Sequence, residues 1–294
     1  MVHIGVSGWT YPPWRGNFYP AGLRQADELA FASRSFSALE VNGTFYGLQV
    51  PGTFQQWRAV TPDRFVFAVK GSRFITHFLK LRGIETALAN FFASGVLALG
   101  EKLGPLLWQF PPNFAYEPER LDTFFRLLPR DGAQAAELAA RHDYRLRGEP
   151  WLGADHVGAL RHAIEIRHES FRDPGFIELL RRHEVALVVA DTVEWPLLMD
   201  LTADFVYCRL HGSTELYRSG YAAEALDRWA GRIEAWSRGA AMTDGNFVAT
   251  PVADGRPRDV FLFFDNTDKL MAPDDARALM QRLSIAEQAF GSES

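Results

Sequence analysis

Phe205-Val-Tyr-Cys-Arg-Leu-His-Gly212 decides how this chain is read. β-Branched and aromatic residues closed by a glycine predict a β-strand. Side chains alternate faces along a strand, so Phe205, Tyr207, Arg209 and His211 share one face, and Val206, Cys208 and Leu210 the other. An arginine and a histidine crowd the C-terminal end of an otherwise apolar element. A purely structural strand has no use for them there.

The pattern recurs in both directions from this stretch. Residues 3–7, 37–42, 65–70, 106–110, 163–167, 185–191 and 260–264 read as further strands with polar or charged residues at or just past their C-terminal ends. Between them, helical periodicity covers 26–36, 53–60, 84–99, 118–128, 174–183 and 223–236, and a last helix starts near 273. Eight strand–helix alternations indicate a parallel sheet with crossover helices. In an open sheet both strand faces meet helices and both should be apolar. Here one face ends in charge on strand after strand. A closed barrel gives every strand an inward face that converges on one mouth. The sequence therefore predicts a single (β/α)8 TIM-like barrel domain over 1–294, with a loop through Trp195-Pro196 in place of the sixth helix. Residues 130–158 show no clear period and read as an insertion; 239–258, rich in Gly, Ala and Asp, read as a mobile loop.

Composition narrows the function classes. The formal net charge is -5, against the basic footprint that long nucleic acid requires. The single cysteine, Cys208, excludes an internal disulfide, a thiolate zinc cage and an iron–sulfur cluster held by the chain's own cysteines. No apolar run approaches ~18 residues and no basic leader precedes the first strand, so the expectation is a cytoplasmic protein without membrane contact.

Strand parity places Ser7, Glu40, Asn42, Lys70, Gln109, Glu165, Arg167, Asp191, Arg209, His211 and Asn266 at the expected mouth. Buried charges without partners cost several kcal/mol each, so these must neutralise one another, meet a ligand or stay wet. Glu165 and His211 are the expected proton-handling pair, with Glu40 and Asp191 as further acid–base candidates. Lys70, Arg167 and Arg209 are the expected anion binders, since a guanidinium matches phosphate or carboxylate bidentately. Trp9, Phe45, Tyr46 and His77 could stack on a ring. The aromatic loop holding Tyr11, Trp14, Phe18 and Tyr19 reads either as a plug over the core or as a pocket wall.

These residues suit an enzyme for a small anionic substrate, such as a sugar phosphate. Glu165, Asp191 and His211 could instead hold a divalent metal, as in xylose-isomerase-like barrels, although Arg167 and Arg209 would then stand beside the cation. Schiff-base chemistry at Lys70 and a non-catalytic nucleotide- or metabolite-binding role are further alternatives. No P-loop, dinucleotide fingerprint or Gly-x-Ser-x-Gly elbow is present, so no nucleotide cofactor held by those devices is expected.

Gly5-Val-Ser-Gly-Trp9, Phe18-Tyr-Pro20, Glu40-Val-Asn-Gly-Thr-Phe-Tyr46, Phe65-Val-Phe-Ala-Val-Lys70, Thr76-His77, Gln109-Phe-Pro-Pro112, Glu165-Ile-Arg-His168, Arg209-Leu-His-Gly212 and Phe264-Asp-Asn266 together resemble the domain of unknown function 72 family, also called YecE-like. The resemblance implies a TIM barrel and no settled activity. Family members often carry two asparagines after the last strand's phenylalanine; here the first is Asp265, which strand parity turns away from Asn266 and from the mouth.

Overall fold

A computed structural model of the chain describes residues 1–285 apart from 193, 213–219, 241, 243, 253 and 267–269. Its parallel strands are β1 (Val2–Ser7), β2 (Ala38–Val41), β3 (Val66–Lys70), β4 (Leu103–Gln109), β5 (His162–Glu165), β6 (Ala186–Asp191), β7 (Phe205–Leu210) and β8 (Asp259–Phe264), in sequence order around a closed barrel. The helices are α1 (Glu28–Ser35), α2 (Gly43–Tyr46), α3 (Pro51–Val60), α4 (Glu85–Ala93), α5 (Pro118–Leu127), α6 (Gly132–Ala139), α7 (Pro174–Arg182), α8 (Ala223–Arg238) and α9 (Ala272–Arg282). This is the expected (β/α)8 arrangement. Among the described residues between β6 and β7 there is no helix. No described helix is long and apolar enough to cross a membrane.

Two compact units make up the chain: Met1–Glu40 with Ala186–Ser294, and Val41–Val185. In the first, β1 pairs with β2 and β8, and β7 pairs with β6 and β8. Cys208 is buried among the apolar side chains of β7, and burial pushes its thiol up. In the second, β4 pairs with β3 and β5, and Gln109 and Glu165 are ladder partners.

The structure corrects or refines the sequence reading in four places. The helix expected over 84–99 ends at Ala93; Gly95, at φ 114°, breaks it, and a tighter 3-10 segment follows over Val96–Lys102. The stretch 130–158 contains α6, whose N-cap Asp131 accepts from the Gln134 amide at 2.8 Å. The segment after β3 winds into a π-helical turn over Phe74–Phe78, closed by the Leu79 amide on the Phe74 carbonyl. Part of 239–258 is anchored, because the Val248 and Ala249 amides both donate to Asp200 at 2.9 Å. The sequence also reads Tyr217 to Tyr221 as an aromatic loop, and residues 217–219 of it lie outside the described residues.

Candidate functional site

In the first unit, two glycines bring the ends of β1 and β2 together. A Cβ at Gly5 would lie 1.8 Å from the Ala38 carbonyl oxygen, so only glycine permits that approach. Gly8, at φ 77°, turns the chain so that its amide donates to the Glu40 carbonyl at 2.8 Å. Ser7 thereby sits beside Glu40, its ladder partner. The Glu40 carboxylate accepts from Ser7 Oγ at 2.8 Å, Tyr207 Oη at 2.6 Å, and Arg209 Nε and Nη2 at 3.0 and 2.9 Å. Arg209 Nη2 donates also to Asp265 Oδ2 at 2.7 Å. Ser7, Glu40, Tyr207, Arg209 and His211 are all completely buried.

The guanidinium fixes the neighbouring imidazole. Arg209 Nη1 lies 3.4 Å from His211 Nε2, and a guanidinium can only donate. His211 Nε2 is therefore the accepting nitrogen and the ring proton sits on Nδ1, which faces Asp265 Oδ2 at 3.4 Å. Trp195 packs edge-on against the same ring, with centroids 5.2 Å apart. Arg209 thus holds two carboxylates and orients a histidine in a largely buried cluster.

Asp265 corrects the parity argument that turned it away. β8 ends at Phe264, and past the last ladder pair alternation no longer dictates direction. Asn266 turns elsewhere: its Nδ2 donates to Asp275 of α9 at 2.8 Å. Asp275 also accepts from the Tyr221 amide, and burial pushes its carboxyl up to about 6. Asp191 accepts from the Trp229 indole of α8 at 3.2 Å and lies beside the Tyr221 hydroxyl, whose pKa is raised by burial and by that carboxylate. Trp9 is half-buried, and its carbonyl accepts from Tyr19 Oη at 2.6 Å. Trp14 and Tyr19 are buried, and Phe18 packs on Phe31 and Phe36, so the aromatic loop plugs the core.

The second unit presents a different arrangement. Lys70 ends β3 with its ammonium 4.3 Å from the Phe45 ring centroid. Glu165 ends β5, completely buried, and its Oε1 accepts from Arg167 Nε at 2.9 Å and Nη2 at 2.8 Å. Arg167 keeps 14% of its side chain in solvent. Gln109, beside Glu165 in the ladder, is buried. Asn42 precedes α2, and its Oδ1 is buried with no hydrogen-bond partner among the described residues.

His77 reports the electrostatics here. The ring is half-exposed, bonded through Nδ1 to Thr76 Oγ1 at 2.8 Å, and edge-on to Phe45 at 5.1 Å. Burial, then Lys70, Arg167 and Arg73, push its pKa down to about 4, with Glu165 opposing. Arg73 lies over the exposed Tyr46 ring, 5.2 Å from its centroid. Three cations and one carboxylate thus act on one imidazole, with burial the largest cause of its shift.

Tyr207, Asp265 and Arg73 were not among the expected site residues. Tyr207 was within reach of the sequence, because it shares the face of Arg209; the other two lie beyond strand ends. Among the described residues no three His, Cys, Asp or Glu side chains gather as a metal site.

The family model described as "Protein of unknown function DUF72" matches residues 3–294. The chain is 29% identical over 128 residues to the UPF0759 protein YecE of Escherichia coli K12, covering 44% of this chain and 43% of that protein. It is 26% identical over 126 residues to the UPF0759 protein YunF of Bacillus subtilis, covering 41% and 44%. The aligned stretches thus span under half the length of these relatives. A crystal structure of a DUF72 family protein from Thermotoga maritima superposes with a TM-score of 0.74 at 24% identity, covering 97% of this chain and 99% of that one. One from Enterococcus faecalis gives 0.66 at 16% identity, covering 97% and 98%. At these identities the structures speak to the fold alone. The match over residues 3–294, carried on an eight-stranded barrel, makes this chain a member of the DUF72 family.

Proposed function

We propose that the chain is an enzyme acting on a small anionic substrate, phosphorylated or carboxylated and sugar-like, by acid–base chemistry. Lys70 and Arg167 bind the anionic group and Glu165 handles the proton. The observation that carries the reading is the position of Lys70 at the end of β3 and of Arg167 just past the end of β5, both acting with Arg73 on the His77 ring, which favours an anion brought next to it. Glu165 suits proton transfer because Arg167 holds one of its oxygens in a fixed place at a strand end. His211 is left out of the proton-handling role, since its Nε2 accepts from Arg209. Arg209 is left out of anion binding, since two carboxylates already occupy it.

The binding test is calorimetric titration with inorganic phosphate and ribose 5-phosphate. Arg167→Ala and Lys70→Ala should each weaken binding by about tenfold or more, the scale of one lost charge-assisted hydrogen bond. The proton test incubates a panel of sugar phosphates with the protein in heavy water. Deuterium incorporation at carbon is expected with the wild type and lost in Glu165→Gln, which should still bind. Binding without exchange for any compound would contradict acid–base catalysis and leave a binding protein.

A further inference from the structure

Three large aromatic side chains stand in solvent within one short part of the second unit: Tyr46 and Phe78, each 68% exposed, and Phe74, 43% exposed. Exposing an aromatic ring forgoes a large burial gain, so a cluster of them needs a reason. The Arg73 guanidinium lies over two of the rings, 5.2 Å from the Tyr46 centroid and 5.7 Å from that of Phe78. Among the described residues no carboxylate pairs with Arg73.

The cluster is continuous with the cation site. Tyr46 packs edge-on to Phe45 at 5.1 Å, and Phe45 in turn meets the Lys70 ammonium and the His77 ring. Phe74 and Phe78 sit on the π-helical turn, a geometry frequent at functional sites. Lys80 and Leu81, just after it, adopt φ of 45° and 64°, which non-glycine residues rarely hold and which concentrates at ligand clamps. Beside Phe78 opens a cavity of about 390 Å³ lined also by Lys80, Arg82 and the ion-paired Arg120 and Glu117. A covering protein surface would suit the rings alone. It would leave Arg73, Lys80 and Arg82 without the negative charge they call for.

We propose that the ligand of this site is an anion carrying a planar ring, of the chemical class of a nucleoside monophosphate: its phosphate lies at Lys70 and Arg167, and its base on Tyr46 and Phe78 beside Arg73. This rests on the anion site proposed above and adds the ring as the source of selectivity. Stacking on exposed aromatics tolerates different bases, because every base presents a π-face.

The test compares adenosine monophosphate with ribose 5-phosphate and inorganic phosphate by calorimetry, on the wild type and on Tyr46→Ala and Phe78→Ala. Both rings are exposed, so both variants should fold, which thermal unfolding checks. Adenosine monophosphate should bind at least fivefold tighter than ribose 5-phosphate, the low end of one stacking contact. Each variant should shrink that preference while leaving ribose 5-phosphate affinity unchanged. Equal affinity for the two, with binding still sensitive to Arg167→Ala, would overturn the ring proposal and leave the anion site standing. A preference that persists undiminished in both variants would overturn the placement of the base. No binding of any of the three would overturn both readings.

Discussion

The Arg209 cluster and the His77 site are built from the same kind of residue at the same kind of position, yet they differ in charge balance and in water. Arg209 bonds two carboxylates, a tyrosine and a serine donate to one of them, and no member of the Glu40–Tyr207–Arg209 set reaches solvent. Around His77, cations outnumber the one carboxylate, and Arg73, Tyr46 and Phe78 are open to water. A charged strand end can therefore become a strut or a site. What separates the two is how far the charged groups are closed off from water.

The largest effect that could break this comparison is at Arg209. Arg209→Met should leave Glu40 and Asp265 buried without their cation and cost about 3–5 kcal/mol of stability in urea unfolding, as removal of one partner from a buried ion pair does. A loss below about 1 kcal/mol would mean the cluster is wet and open, like the other site. A smaller, pH-dependent effect sharpens the contrast. Burial and the neighbouring cations push the folded His77 down to about 4, against 6.5 for the ordinary imidazole. Between those values the unfolded chain binds a proton that the folded chain does not, so stability falls as pH drops through the window and is unaffected by this group above it. His77→Gln should flatten the decline in stability between pH 6.5 and 4. An unchanged decline would place its origin elsewhere. The smallest effect is expected at Arg73, exposed and held only over rings: Arg73→Ala should change stability by less than about 0.5 kcal/mol.

The barrel was legible because its strands announce themselves twice, by apolar alternation and by the polar residues at their ends. Parity also placed Ser7, Glu40 and Arg209 correctly on facing sides, and the structure bonds all three. Parity failed where the ladder stops. Asp265 swings to Arg209 and Asn266 to Asp275, and nothing in a two-residue period could tell them apart. The helix at Gly132–Ala139 was hidden for a different reason. Its alanines give little amphipathic contrast, and the signal was the capping Asp131 before them. The π-helical turn has no sequence signature at all, so Phe78 reached the site only through its backbone geometry.

Charge surplus at His77 is the claim on which the proposed function stands, and the imidazole itself can measure it. Sulfate keeps its double charge throughout the range concerned, so an NMR titration of His77 with and without sulfate isolates the effect of a bound anion. A midpoint near 4 that rises when sulfate is added, and that also rises in Arg167→Ala without sulfate, is the expected result. A midpoint that neither sulfate nor Arg167→Ala moves would contradict it at any value, since burial alone lowers an imidazole.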